Sequence, residues 1–247
     1  MKLHAKLFSV ASLATWLINT VTVLANTEKA IFLGAQTINM PTTHPNLDDL
    51  HIDTLTPENW TIRTHLEAQF PTESAQYGKA TWLVLDRLTA GQRYEVRVCW
   101  AATQPTEFRL KTYELPAVFE TPELITSLSE YSWSRQAYGQ ADETGSSATF
   151  KATSGALHKE KMASVLLLQI LAAADYYTTN TTLMSKVPPV FVDIILDPFI
   201  LNIFPRSLLP TVGYIIVVAV LSYFLARQIS IWIRHTAQER DQAKKRQ

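Results

Sequence analysis

Residues 94–100, with the sequence YEVRVCW, contain the clearest strand pattern in the chain. Their large aromatic and β-branched side chains occupy every second position: Tyr94, Val96, Val98 and Trp100. Glu95, Arg97 and Cys99 fill the positions between them. A period of two places alternate side chains on opposite faces of a strand, so one face of this strand is predicted to be buried.

Further short segments of similar character lie on both sides of this strand. The candidate strands are residues 30–33, 61–70, 81–85, 108–111, 148–152 and 164–171. We expect 94–100 and 108–111 to pair as a hairpin through Gln104 and Pro105. Seven one-sided strands must bury their apolar faces against a second sheet, which predicts a mainly β fold, an antiparallel β-sandwich. Residues 164–171 also fit a buried helical turn. No long helix is expected between residues 27 and 182, and residues 136–147 are predicted to form a surface loop.

The first 25 residues have the three parts of a secretory signal peptide. Lys2 and Lys6 precede an apolar stretch from Leu7 to Leu24, and Val23 and Ala25 occupy the positions that signal peptidase recognises. We expect cleavage before Asn26, with an uncleaved signal anchor as the alternative, because the apolar stretch is long enough to span a bilayer. The sandwich is then predicted over residues 26–186.

Residues 207–226 contain no charge and match the thickness of a bilayer core. Apolar residues continue to Ile233, so a transmembrane helix is predicted over 207–233. Residues 234–247 form a basic tail, and the positive-inside rule places that tail in the cytoplasm. The chain is therefore predicted to be a single-pass type I membrane protein with its main domain outside the cytosol.

Residues 187–206 are apolar but are interrupted by four prolines and two aspartates. Proline breaks helices and a carboxylate is costly in hydrocarbon, so this segment is not expected to span the membrane. We expect it to lie at the luminal membrane interface or against another membrane protein. Its candidate partner-binding residues are Asp193, Asp197, Phe199, Phe204 and Arg206.

Composition excludes several classes of function. The 22 basic residues balance the 22 acidic ones, which argues against a nucleic-acid partner, and the single Cys99 permits no intrachain disulfide. No nucleophile elbow, phosphate-binding glycine loop or zinc motif is present. His44, His51, Asp48 and Asp49 are better explained as a polar loop than as a metal site. We expect no catalytic residues, no cofactor and no metal.

Three short motifs concern processing and retention. Asn59 and Asn180 begin N-glycosylation sequons in the part predicted to be exported. Lys244 and Lys245 stand fourth and third from the carboxyl end, the register of a dilysine retrieval signal to the endoplasmic reticulum. The alternative for the two lysines is an ordinary basic flank of the membrane helix.

Several stretches resemble the fungal accessory subunit of GPI mannosyltransferase II: residues 26–32, 94–100, 193–199 and 202–208. The resemblance implies a non-catalytic protein that supports a polytopic catalytic subunit, which adds the second mannose to the GPI precursor. The partners implied are that mannosyltransferase and the lipid bilayer. Two other classes stay open: a cargo receptor or translocon-associated β-sandwich protein, and a stabilising subunit of the first GPI mannosyltransferase.

Overall fold

The computed structural model describes residues 25–40, 46–142 and 161–245. The strands are β1 Ala25–Leu33, β2 Ile38–Met40, β3 Thr54–Leu55, β4 Thr61–Leu66, β5 Lys79–Leu88, β6 Arg93–Ala101, β7 Thr106–Glu114, β8 Lys161–Ala174, β9 Val190–Ile200 and β10 Phe204–Pro205. The α-helices are α1 Leu115–Glu120, α2 Pro122–Asp142, α3 Thr181–Ser185 and α4 Leu209–Lys245, with 3-10 helices at Leu47–Leu50 and Arg206–Leu208. The predicted mainly β fold with one C-terminal apolar helix is confirmed.

The strands form two five-stranded sheets. In sheet 1, β6 lies between β1 and β9, and β9 also pairs with β4 and β10. In sheet 2, β8 pairs with β5, β7 and β2, and the short β3 runs parallel to β5. All the other pairs are antiparallel, as predicted.

The core lies between the two sheets. Its sheet 1 side includes the inward row of β6, Tyr94, Val96, Val98 and Trp100, as the period-two pattern predicted. Alternate residues of β9 lie beside that row, and sheet 2 contributes inward residues of β5, β7 and β8. Residues 164–171 belong to β8, so the strand interpretation is confirmed over the helical alternative.

Helices α1 and α2 cover the other face of sheet 2. Trp82 and Leu167 of the sheet pack there against Val118 and Leu128 of the helices. The indole Nε1 of Trp82 also donates to Ser127 Oγ at 3.1 Å. The expectation of no long helix between 27 and 182 was therefore wrong. The predicted loop at 136–147 is helical through Asp142, and its remainder and the candidate strand 148–152 lie outside the described residues.

The sequence of α2 explains why this helix was missed. Leu124, Leu128 and Tyr131 are its only apolar side chains that pack against the second core cluster within the described part. Serine, threonine and charged residues occupy half of the other positions. A narrow apolar stripe on a mostly polar helix gives only a weak 3.6-residue periodicity in the sequence. The helix is stabilised mainly by its packing against the apolar face of sheet 2.

The predicted hairpin of 94–100 with 108–111 was also wrong. β6 pairs with β1 and β9 in sheet 1, whereas β7 pairs with β8 in sheet 2. The connection crosses from one sheet to the other, and the Trp100 and Phe108 rings meet in the interior with centroids 4.6 Å apart. Alternation predicts which face of a strand is buried but does not identify the neighbouring strand.

The prediction of a membrane-interface segment at 187–206 was wrong for its central part. Val190–Ile200 is β9, which pairs with β6 along one edge and with β4 along the other. Val192, Ile194 and Leu196 are fully buried between the sheets. The high apolar content therefore reflects a central strand, and the sandwich extends beyond the predicted boundary at residue 186.

The chain leaves the sandwich through α4. Residues 206–234 form a stretch long and apolar enough to cross a membrane, and none of its most apolar window is buried inside the protein. The helix continues to Lys245, so residues predicted as a basic tail up to that point are helical. The predicted signal peptide lies outside the described residues except for Ala25, which begins β1.

Candidate interaction site

Sheet 1 has one face that no other layer of the described structure covers. Because its inward residues form the core, the intervening residues of its strands point the other way, and we call that side the outer face. It includes Lys29, Ile31 and Leu33 from β1, Arg93, Glu95, Arg97 and Cys99 from β6, Arg63 and His65 from β4, and Phe191, Asp193, Ile195, Asp197 and Phe199 from β9. All five predicted partner-binding residues come from β9 or the segment that follows it, and Asp193 lies at the middle of this face.

Asp193 forms a two-point ion pair with Arg63 on the neighbouring strand. Arg63 Nε and Nη2 donate to the two carboxylate oxygens at 2.6 and 3.0 Å. The hydrogen bond from Arg63 holds the pKa of the Asp193 carboxyl below its ordinary value, and partial burial opposes this shift. Asp193 is therefore ionised at neutral pH, and its geometry is fixed by a planar guanidinium.

An exposed aromatic side chain lies beside this ion pair. Phe191 is 44% exposed, although its ring meets His65 at 5.0 Å between centroids. The Arg63 guanidinium lies 5.9 Å from the centre of the same ring. Phe191, His65, Arg63 and Asp193 thus form one surface cluster, in which a large apolar side chain sits next to a fixed pair of charges. Exposed aromatics next to arginine are typical of protein-binding surfaces.

Two carboxylates on the same face are almost completely buried. Glu95 and Asp197 are 4% and 5% exposed and are direct neighbours across β6 and β9. Arg97 lies 3.6 Å from Glu95 and 3.8 Å from Asp197, and Lys29 lies 3.3 Å from Glu95. Buried charges require such partners, and because Lys29 and Arg97 supply them, Glu95 and Asp197 are not available to another protein.

Asp197 also anchors the segment that leads into the membrane helix. Its two carboxylate oxygens accept hydrogen bonds from the backbone N of Ser207 at 3.2 and 3.3 Å. Ser207 lies in the 3-10 helix that immediately precedes α4. A carboxylate that accepts from a free N–H at a helix start is a capping interaction. Asp197 therefore positions α4 relative to the sandwich and is not free to contact a partner.

The other predicted site residues lie at the same end of the sheet. Phe199 is buried beneath the Arg93 guanidinium, which lies 5.7 Å from the ring centre. Phe204 is half-buried in β10, and Arg206 is exposed at the start of the 3-10 helix. Of the five, Asp193 and Arg206 have accessible charged groups, whereas Asp197 and Phe199 stabilise the sheet. Sequence reasoning missed Arg63, whose only signal was its position in a strand pattern.

A cleft of about 980 Å³ opens beside β4 and β5 near helix α2. Its charged groups are already paired: Arg135 lies 2.9 Å from Asp53, and Lys79 bonds to Glu67. Burial raises the pKa of Tyr131, so this phenol stays protonated at neutral pH. The cleft therefore presents two ion pairs, a neutral phenol and the side chains of His51 and His65.

The histidine and aspartate segment has a structural role where it is described. The side chain of Asn46 accepts a hydrogen bond from Asp48 N, and the Asp49 carboxylate accepts one from Asn46 N. The two bonds form a capping box at the start of the 3-10 helix Leu47–Leu50. His51 follows with a positive φ of 53°. His44 lies outside the described residues. Among residues 25–40, 46–142 and 161–245, no three side chains of the metal-binding types are grouped as a cation site.

Both sequon asparagines are exposed. Asn59 lies in the turn before β4, and Asn180 precedes α3, where its side-chain oxygen accepts from Thr182 N at 3.0 Å. Exposure is the physical condition for modification, and glycosylation at each site stays a prediction.

Comparison with known families finds a match in the N-terminal part of the chain. Residues 16–131 match the family model Pga1, described as a GPI-mannosyltransferase II co-activator. Over this region the chain is similar to that family. The match covers slightly less than half of the 247 residues and includes β1–β7, α1 and the first half of α2. Comparisons with curated proteins and with solved structures find no match.

The family description agrees with two of the sequence predictions. A co-activator is a non-catalytic accessory protein, as expected from the lack of any catalytic motif. GPI-anchor biosynthesis implies the endoplasmic reticulum membrane, and α4 provides one helix able to cross it. The matched region ends before β9, so Asp193 and the rest of the predicted site lie outside it.

Proposed function

We propose that this chain acts as a type I membrane subunit that binds the polytopic catalytic subunit of GPI mannosyltransferase II through the outer face of sheet 1. The contact centres on the surface cluster of Phe191, His65, Arg63 and Asp193. The observation that carries the proposal is the uncovered sheet face itself. Helices cover the outward side of sheet 2, whereas sheet 1 presents an exposed aromatic ring beside an oriented ion pair.

Binding without catalysis accounts for how such a chain activates a mannosyltransferase. The transfer of a sugar from a lipid-linked donor to a lipid acceptor needs an enclosed, membrane-embedded pocket, and one helix cannot form it. A partner that binds the folded catalytic subunit stabilises it by mass action. A rigid sheet face loses little conformational entropy on binding, which favours a stable complex.

The proposed orientation places the sandwich in the lumen and the C-terminus in the cytoplasm. Cationic residues lie at and beyond the end of the apolar stretch of α4, at Arg234, Arg240, Lys244, Lys245 and Arg246, and positive residues favour the cytoplasmic side. The N-terminal signal is consistent with export of everything before α4. In this orientation both sequons face the compartment where N-glycans are added, and the two lysines face the retrieval machinery.

The test reverses one charge in the cluster and uses a matched control on the other sheet. Asp193→Arg breaks the pair with Arg63, and Glu107→Arg breaks a similar exposed pair with Arg109, whose atoms lie 2.7 Å apart. We expect Asp193→Arg to reduce co-purification of the mannosyltransferase in mild detergent and to cause accumulation of the one-mannose GPI precursor. Glu107→Arg should leave both unchanged.

A charge exchange separates binding from stability. The double variant Arg63→Asp with Asp193→Arg can restore the ion pair within the chain but inverts the charges presented to a partner. We expect it to fold like the unaltered chain and still to bind weakly. Normal co-purification and mannosylation with both variants would overturn the proposal for this surface. Capture of many exported proteins in place of one glycosyltransferase would favour a cargo receptor.

A further inference from the structure

The turn between β9 and β10 exposes two large apolar side chains. Leu201 is 84% exposed and Ile203 is 69% exposed, and we call these two residues the apolar tip. Leu33, at the end of β1, is exposed at the same end of sheet 1. Apolar side chains clustered at one end of a water-facing domain indicate contact with another apolar phase.

The backbone of the tip is held in an unusual conformation. Ile203 N donates to Ile200 O at 3.0 Å, which closes a two-residue turn, and Leu201 and Asn202 have φ values of 52° and 58°. Asparagine tolerates this left-handed region, but leucine at such a position costs about 1–2 kcal/mol. Leu201 therefore combines a strained backbone conformation with an exposed apolar side chain. Both features are unfavourable for a residue that faces water.

Hydrogen bonds keep the tip rigidly attached to the sheet. The Asn202 side chain accepts from Arg93 N at 2.8 Å and donates to Gly91 O at 3.1 Å. After the tip, Phe204 and Pro205 pair with Ile200 and Phe199 at the end of β9. The tip is therefore a fixed projection of sheet 1.

The membrane helix starts beside this projection. Ser207 N is bonded to Asp197, two residues before Phe199 on β9, and α4 begins at Leu209. Leu208 and Leu209 are exposed, as are the cationic side chains of Arg93 and Arg206 at this end. Leucine next to arginine is the composition of a surface that enters the headgroup region, where arginine meets phosphate and leucine meets the acyl chains.

We propose that Leu201 and Ile203 insert into the interfacial layer of the phospholipid bilayer beside α4. The sandwich then stands with this end on the membrane. The continuity of the tip with the spanning helix favours lipid as the occupant, because any membrane that receives α4 comes close to the end of β9. With eleven residues in β9 and about 3.3 Å per residue, the strand is roughly 36 Å long, so the opposite end of the sheet stands up to that distance further from the bilayer.

The experiment uses the full chain, without its partner, in phosphatidylcholine vesicles. Cys99 is first replaced by serine, and an environment-sensitive fluorophore is attached at Leu201→Cys. The matched control is Tyr177→Cys, an exposed position just after β8 at the opposite end of the sandwich. We expect the label at 201 to show a blue-shifted emission and strong quenching by lipids with shallow nitroxides. The label at 177 should be quenched only by aqueous iodide.

Each outcome decides the proposal. Equal iodide quenching at 201 and 177 would overturn it. If protection at 201 appears only after the mannosyltransferase is added, and without quenching by lipid, a protein contact occupies the tip and the lipid assignment is wrong. The variant Leu201→Asn with Ile203→Ser provides a check that needs no label in the tip, because the donor fluorophore stays at Tyr177→Cys. It should keep or raise the melting temperature, since asparagine at position 201 relieves the backbone strain. It should also broaden the distribution of distances between the donor at residue 177 and a lipid dye, as measured by energy transfer.

Discussion

Replacement of Ile194 by alanine tests whether β9 is a core strand or a membrane-facing segment. Ile194 is fully buried between the sheets, and its removal takes away three carbon groups, which contribute about 0.8 kcal/mol each. The cavity left behind adds to this loss, so we expect a decrease of about 3 kcal/mol in the free energy of unfolding. For a domain of this size, that corresponds to a fall of roughly 6–12 °C in melting temperature.

The matched control is Phe191→Ala, three residues earlier on the same strand. Phe191 is the larger side chain, but it lies on the outer face, where truncation is expected to cost less than about 1 kcal/mol. Melting of the full chain in mild detergent, followed by near-ultraviolet circular dichroism, measures both variants. If Phe191→Ala lowers the melting temperature as much as Ile194→Ala, the assignment of β9 to the core is refuted.

Three further predictions concern stability. Gly78→Ala should be strongly destabilising, because an added Cβ would lie 1.9 Å from a backbone oxygen of β8. The control is Gly91→Ala, which is also at positive φ but has open space around it, and it should lower the free energy of unfolding by only about 1 kcal/mol. Thermal melting measures both variants. Ser127→Ala leaves the buried indole N–H of Trp82 without its acceptor and should lower the free energy of unfolding in urea by about 1–3 kcal/mol. Ser127→Thr retains a hydroxyl and is the control. The pKa of Asp193 is lowered in the folded state, so its ionisation stabilises the fold above the unfolded pKa of about 3.9, and that contribution is lost as the pH falls through the folded value. The stability difference between Asp193→Asn and the unaltered chain should therefore shrink in acid, and a difference that grows as the pH is lowered would contradict this assignment.

The sequence predicted which residues face the core more reliably than it predicted which strands are neighbours. Alternation at Tyr94–Trp100 identified the buried row of β6, because a period of two is a local property. The partner strands of β6 lie about 65 residues earlier and 100 residues later, as in the pairs Lys29 with Arg97 and Arg97 with Ile195. No local pattern contains that information, and for this reason the hairpin with β7 was predicted in error.

The character of β9 was misread because an apolar run has several physical explanations. A strand that is buried between neighbours and a segment at the membrane surface both have high apolar content. Asp193 and Asp197 were read as residues that keep the segment near water. They instead form ion pairs with Arg63 and Arg97, whose positions in the fold depend on long-range pairing. The identity of the functional face could therefore not be derived from residues 187–206 alone.

The position of β9 in the chain has a consequence for biosynthesis. This strand fills the middle of sheet 1, yet it is among the last parts of the sandwich to be made and ends nine residues before α4 begins. A nascent chain that has delivered everything before residue 190 still has β4 and β6 without the strand that joins them. Until β9 is made, the facing edges of β4 and β6 are therefore unpaired, and unpaired strand edges of an unfinished sheet promote aggregation. The sandwich can close only when nearly all of the chain before α4 has been made.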